Sequence, residues 1–239
     1  MPSKYALLAC DVFQEELNAF AGDSPPWHRI EYLEMGLHDQ PNHLRTEVQA
    51  AISRLEADPE VEVVLLAYGL CGNGLLGIRA ERCPLILPRA HDCISILLGG
   101  MEAHSALLNE NPGTYFYSPG WVRGKRVPGP DREAHIRDVY SARYPDDVDM
   151  VDDLVEADAD AFAHNNCAAY VDLTANADAE NYCKGCAKHL GWQFKRLRGD
   201  PTMLQNLVKG DWSAERYLTI PPGYHVALEG HSMLISEPS

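Results

Sequence analysis

The chain has 239 residues, 46% hydrophobic and 23% charged, with a formal net charge of −15. That length builds a core without disulfide staples, the acidic balance excludes nucleic acid as the main partner because phosphate binding needs a concentrated basic surface, and no apolar run approaches the roughly 18 residues of a membrane span. The N-terminus lacks the apolar segment and cleavage site of a secretory signal, so a cytoplasmic protein is expected.

Tyr5–Cys10 is short and apolar, a strand that passes into a helical stretch from Asp11. Arg29–Glu34 alternates apolar and polar residues as a second strand does. Pro41 suits a first helical turn, and Leu44, Val48, Ala51, Ile52 and Leu55 recur at helical spacing until Asp58-Pro59 ends the helix. Val61–Tyr68 is apolar on both faces, the pattern of a parallel strand covered on each side. It runs into the glycine-rich loop Gly69-Leu70-Cys71-Gly72-Asn73-Gly74.

Pro84–Pro88 is a further short strand, followed by Arg89-Ala90-His91-Asp92 and a helix from Cys93 through Met101; Thr114–Tyr117 is the next strand, closed by Ser118-Pro119-Gly120-Trp121. Residues 124–130 read as a loop, and Asp131–Tyr144 as a helix. Asp146–Asp160 holds eight acidic residues and no Lys or Arg, with Val151, Leu154, Val155 and Ala159 as an apolar stripe, which reads as an acidic surface helix. Strands follow at Ala168–Leu173, Trp192–Leu197 and, as the last, Tyr217–Ile220, with helices at Ala177–Leu190 and Thr202–Val208. Alternating strands and helices predict an α/β fold, a parallel doubly wound (Rossmann-like) sheet in one or two lobes. The expected division is 1–122, an α/β lobe; 123–166, an acidic helical connection; and 167–239, an α/β part completing the fold.

In open parallel sheets, ligands bind beyond the carboxyl ends of the strands. The predicted ends bring Cys10, Cys71, His91 and Cys93 to one edge. Seven cysteines is an odd number, so they cannot all pair with one another. In a reducing compartment they are core residues, nucleophiles or metal ligands. Thiolates and imidazole suit zinc or iron–sulfur centres. Three cysteines leave one iron of a four-iron cluster open to act as a Lewis acid. The expected ligands are Cys10, Cys71 and Cys93, with His91 as fourth ligand or as an acid/base beside the site. Arg89 would clamp a carboxylate or phosphate, or pair with Asp92, which is counted with His91 and Arg89 as a catalytic candidate. Gly69, Gly72 and Gly74 permit close backbone approach; with Asn73, His38 and Trp121 they form the expected substrate-binding set. The glycine spacing fits neither the dinucleotide fingerprint nor the P-loop. Cys183-Lys184-Gly185-Cys186 lacks a second such pair and reads as incidental helix cysteines.

Ala9-Cys10, Gly36-Leu37-His38-Asp39, Tyr68–Gly74, Pro88–Ile94, Pro112–Tyr117, Gly210-Asp211-Trp212 and Pro221-Pro222-Gly223 resemble the bacterial and archaeal family named domain of unknown function 1638. The resemblance spans nearly the whole chain. It implies that Cys10, Cys71, His91 and Cys93 belong to the family pattern, and it points to one-carbon or corrinoid-linked metabolism, with a corrinoid, a corrinoid protein or a methyltransferase as associated cofactor or partner. Cys83, Cys167, Cys183 and Cys186 match none of its motifs. The expected function is a metal- or iron–sulfur-dependent lyase or transferase acting on a small anionic metabolite. A non-catalytic corrinoid-, metal- or metabolite-binding accessory protein, and a thiol enzyme with Cys71 as nucleophile, are the alternatives.

Overall fold

Apolar runs become strands and most 3.6-period stretches helices in the computed structural model, which describes residues 4–22, 25–230 and 232–236. In chain order the elements are β1 (Tyr5–Cys10), α1 (Gln14–Ala21), β2 (Arg29–Leu33), α2 (Pro41–Glu56), β3 (Val63–Ala67), β4 (Leu85–Pro88), α3 (Cys93–Leu97), α4 (Met101–Glu110), β5 (Thr114–Tyr117) and α5 (Pro119–Arg123). There follow α6 (Arg132–Arg143), α7 (Val148–Asp160), β6 (Cys167–Asp172), α8 (Ala177–Leu190), β7 (Gln193–Arg198), α9 (Thr202–Lys209), β8 (Tyr217–Ile220), β9 (His225–Glu229) and β10 (Ser232–Ser236). Two units result: residues 1–104 with 199–239, and residues 105–198.

In the first unit the sheet order is β2-β1-β3-β4-β8. β1 pairs in parallel with β2 on one side and β3 on the other, with Cys10 opposite Leu33 and Ala9 opposite Ala67. The chain thus leaves β1 in one direction for β2 and returns in the other for β3, so strand order reverses beside β1. The aliphatic side chains of β1 and β3 are buried, and α2 covers the sheet with Leu44, Val48, Ala51, Ile52 and Leu55, as its spacing demands. α9 packs Met203, Leu204, Leu207 and Val208 into the interior against α3, β3 and β4.

Glu56, buried at the end of α2, fixes the entry to β4. Its carboxylate accepts from the backbone N–H groups of Glu81 (3.2 Å), Arg82 (3.0 Å) and Cys83 (3.1 Å). A buried carboxylate is tolerable when backbone donors replace its lost water.

The second unit holds the parallel sheet β5-β6-β7. Tyr117, Val127, Ala168, Tyr170, Ala179, Cys183, Cys186 and Ala187 form its core. α7 turns Val151 and Val155 inward and most of its acids outward. Asp158 of α7 receives both Nε and Nη2 of Arg132, each at 2.7 Å.

Thr114–Tyr117 pairs with β6 inside the second unit, and Gly199 onward belongs to the first. Three expectations are corrected. The first sheet is mixed, since β8 runs antiparallel to β4 with Pro88 opposite Tyr217. Burial on both faces tells that a strand is covered, not which way it runs. The helix expected from Cys93 through Met101 is broken by Gly99 (φ +83°) and Gly100 (φ +153°) into α3 and α4. Tyr217–Ile220 is not the last strand, because β9 and β10 form an antiparallel hairpin after it. Met1–Ser3, read as leading into the first strand, lie outside the described residues. No helix among the described residues is long and apolar enough to cross a membrane.

Candidate functional site

The carboxyl ends of β1, β3 and β4 lie side by side, at the point where the strand order reverses. Such a point opens a crevice because the connections on its two sides diverge. Cys10 is the last residue of β1. The register that sets Ala9 against Ala67 brings the next residue, Tyr68, level with Cys10.

Beyond β3 and β4 the chain stays bonded. Leu70 N–H donates to the Ala90 carbonyl and Cys71 N–H to the His91 carbonyl, both at 2.8 Å. Gly69 makes this approach possible, because a Cβ there would stand 2.6 Å from Asp92 Cα and 2.7 Å from its N and C. Cys71 (φ +48°), Gly72 (φ +63°) and Asn73 (φ +70°) then take left-handed backbone, a sharp turn that a β-branched residue would resist. At Gly74 a Cβ would lie 2.5 Å from Leu44 Cδ2, so α2 is seated directly on this loop. On the other side Asp92 caps α3: its carboxylate accepts from Ser95 N–H at 2.7 Å, and the Ser95 hydroxyl accepts in return from Asp92 N–H at 3.3 Å. Cys93 opens that helix.

These constraints bring Cys93 within interaction range of both Cys10 and Cys71. The Cys93 thiol hydrogen-bonds Cys10, and this is the main cause that lowers the Cys10 pKa below its ordinary value; the Val12 N–H and Tyr68 add to the effect, while burial and the Asp11 charge oppose it. Cys93 is held well above its ordinary value by its hydrogen bonds to Cys10 and Cys71, with burial adding to them. Cys10 and Cys93 are buried, whereas Cys71 is partly open to solvent. No three of the described His, Cys, Asp and Glu side chains surround a common point as the ligands of one ion would.

Tyr68 was not singled out from the sequence as a site residue. It is 2% exposed, and burial, with the charges of Cys10, Cys93 and Cys71 adding to it, holds its hydroxyl well above its ordinary pKa. The hydroxyl lies near enough to help lower Cys10, yet it reaches no partner at full hydrogen-bond geometry. A tyrosine closing an otherwise aliphatic strand, immediately before a glycine, was the available signal.

The other expected residues are placed as follows. His91 is exposed at the edge, its carbonyl holding Cys71. Asp92 serves as the α3 cap and lies 3.5 Å from His104 Nδ1. Arg89 donates from Nε to the Ala214 carbonyl at 3.0 Å and from Nη1 to the Met233 carbonyl, pinning the segments around β8 and β10. His38 is exposed in a 3-10 turn, 3.4 Å from Asp39. Trp121 belongs to the second unit, where it packs on the core around Tyr117. Cys83, Cys167, Cys183 and Cys186 are buried elsewhere; Cys186 and Cys183 sit within the second unit's core.

The structure therefore defines an α/β protein with a three-thiol edge at the reversal of its mixed sheet. The family model described as protein of unknown function (DUF1638) matches residues 32–208, and the chain belongs to that family. The matched stretch contains Cys71, His91 and Cys93 and begins after Cys10. No curated protein and no solved structure matches the chain.

Proposed function

We propose that Cys10, Cys71 and Cys93 hold one thiophilic metal centre, an iron–sulfur cluster with an open iron or a zinc ion, in an enzyme acting on a small anionic metabolite. The observation that supports this reading is the meeting of three thiols from three separate segments at the reversal point of the sheet. Chance burial scatters cysteines through a core; here the backbone bridges between residues 70–71 and 90–91 and the Gly69 approach serve to bring Cys71 to Cys93.

The donor set fits soft metals. The protons now shared between Cys93 and its neighbours are those that metal binding would displace. The partly exposed Cys71 marks the face open to substrate, and His91, exposed beside it, is the candidate acid or base. When bound, such a centre supplies a Lewis acid for a hydroxyl or carboxylate.

The test is anaerobic purification, with reconstitution in iron and sulfide or in zinc, followed by elemental analysis and an absorption spectrum. One cluster or one zinc per chain is expected, lost equally in Cys10→Ser, Cys71→Ser and Cys93→Ser and retained in Cys83→Ser. Substoichiometric metal in the unsubstituted protein after reconstitution overturns the reading. A second reading, thiol catalysis with Cys71 as nucleophile and His91 as base, draws on Cys71 being the partly open thiol of the three; it predicts activity abolished by Cys71→Ser and kept in Cys10→Ser, in a metal-free protein.

A further inference from the structure

Acidic residues outnumber basic ones in this chain by 35 to 20, and Arg54, Arg132, Arg137 and Arg196 each meet a carboxylate, those of Glu31, Asp158, Asp152 and Asp172. Arg45 forms no ion pair with any described carboxylate. Half-buried on α2, it donates from Nη1 to the Asn42 amide oxygen at 3.3 Å and from Nη2 to the Asn73 carbonyl at 3.2 Å. Its enclosed Nε has no hydrogen-bond partner among the described residues. Both acceptors are neutral and both bonds long. Holding a cation in this way costs stability, and an uncharged side chain of the same length would fill the space without that cost. The carbonyl that Arg45 grips belongs to the thiol edge. Asn73 ends the left-handed run Cys71-Gly72-Asn73, and Gly74 N–H closes the turn on the Cys71 carbonyl at 3.1 Å. The first turns of α2 line it: a Cβ at Gly72 would rest 3.8 Å from Pro41 Cγ, and one at Gly74 2.5 Å from Leu44 Cδ2. The guanidinium and the partly open Cys71 therefore flank one tight turn.

We propose that Arg45 binds the carboxylate of the small metabolite that reaches Cys71, and so selects for an anionic substrate. The inference rests on the reading above of a substrate site at the thiol edge; it does not depend on a metal or on the protonation of the thiols. Nη1 and Nη2 carry two N–H groups each, and each gives one to the protein. The remaining pair suits the two oxygens of a carboxylate. Arg89, the clamp expected from the sequence, has its Nε and Nη1 engaged by the Ala214 and Met233 carbonyls instead. Arg45 stands on a helix and is tied to the loop it serves, so little ordering is left for binding to impose. The chain's net charge of −15 repels anions. A cation beside the turn reverses that locally, for a ligand within a Debye length of about 10 Å at 0.1 M salt.

The experiment alkylates the metal-free full chain with iodoacetate, which carries a carboxylate, and with neutral iodoacetamide, in the unsubstituted protein, Arg45→Gln and Arg45→Lys. Peptide mass spectrometry gives the rate of each reagent at Cys71, and the iodoacetate-to-iodoacetamide ratio is the readout. A change in the exposure or reactivity of the thiol moves both rates and cancels in the ratio. Expected is a ratio about fourfold lower in Arg45→Gln, the effect of one unit charge at about 5 Å across water, and largely kept in Arg45→Lys. Added salt should bring the unsubstituted protein toward the Arg45→Gln value. An unchanged ratio in Arg45→Gln overturns the inference and leaves the metal reading intact, since no metal is present. Both rates moving together in Arg45→Gln overturns it in favour of a purely structural tie to the loop. A lowered ratio in a protein that fails to take up metal on reconstitution supports the inference and overturns the metal centre alone.

Discussion

Gly69→Ala tests the joint that holds the site together. The added methyl carbon would lie 2.6 Å from Asp92 Cα and 2.7 Å from Asp92 N and C, against a carbon contact minimum of about 3.5 Å. All three atoms are backbone, so no side chain can swing away, and the segments must part by nearly an ångström. The bonds from Leu70 to Ala90 and from Cys71 to His91, both 2.8 Å, then stretch to about 3.5 Å or more and cease to count as hydrogen bonds. Over-packing costs about 1–3 kcal/mol and each lost bond about 1 kcal/mol. Parting the segments relieves the first cost by incurring the second, so a loss of about 2–3 kcal/mol is expected rather than the sum. For a chain of this length that is a fall of about 4–12 °C in Tm. The same displacement separates Cys71 from Cys93 by more than the roughly 0.2 Å tolerance of metal–ligand distances, so metal retention falls with stability. Urea unfolding and metal analysis of Gly69→Ala check both. Stability within about 0.5 kcal/mol of the unsubstituted protein, with full metal content, would refute the argument that this approach positions the thiols.

Three further outcomes are expected. Glu56→Ala leaves the N–H groups of Glu81, Arg82 and Cys83 without their acceptor and costs about 3 kcal/mol in denaturant unfolding, while Glu56→Gln, whose amide oxygen still accepts, recovers part of it. Burial, with the Glu56 charge adding to it, pushes the Cys83 thiol up to about 11. Its neutral form is the one the fold prefers, so its contribution is complete below about pH 9 and is lost as pH rises toward 11; Cys83→Ala should lose less stability across that interval than the unsubstituted protein when both are unfolded in urea at its two ends. Iodoacetamide applied to the native metal-free protein should modify Cys71 first, since the other six cysteines are buried, and bound metal should protect it; peptide mass spectrometry reads both.

Much of the architecture was written in local pattern. The continuous aliphatic run of β3, the period of Leu44, Val48, Ala51, Ile52 and Leu55, and the glycines after Tyr68 each fix a backbone state through short-range sterics and the need to bury apolar surface. Those same signals brought Cys10, Cys71 and Cys93 to strand ends, and hence to one edge, because every strand that carries them runs in parallel.

Other features depend on partners distant in sequence. The antiparallel course of β8, the assignment of β5 to the second sheet and the hairpin after Gly223 are matters of which edge offers free hydrogen bonds, which no local window contains. Arg89 and Asp92 looked like reactive residues; the tertiary structure has Arg89 donating to the Ala214 and Met233 carbonyls and Asp92 capping α3. Tyr68 looked like core, and the register between β1 and β3 set it beside a sulfur. Composition and periodicity decide what is buried and what turns; only the packed chain decides which polar group each buried atom meets, because that depends on strand direction and register across the whole sheet.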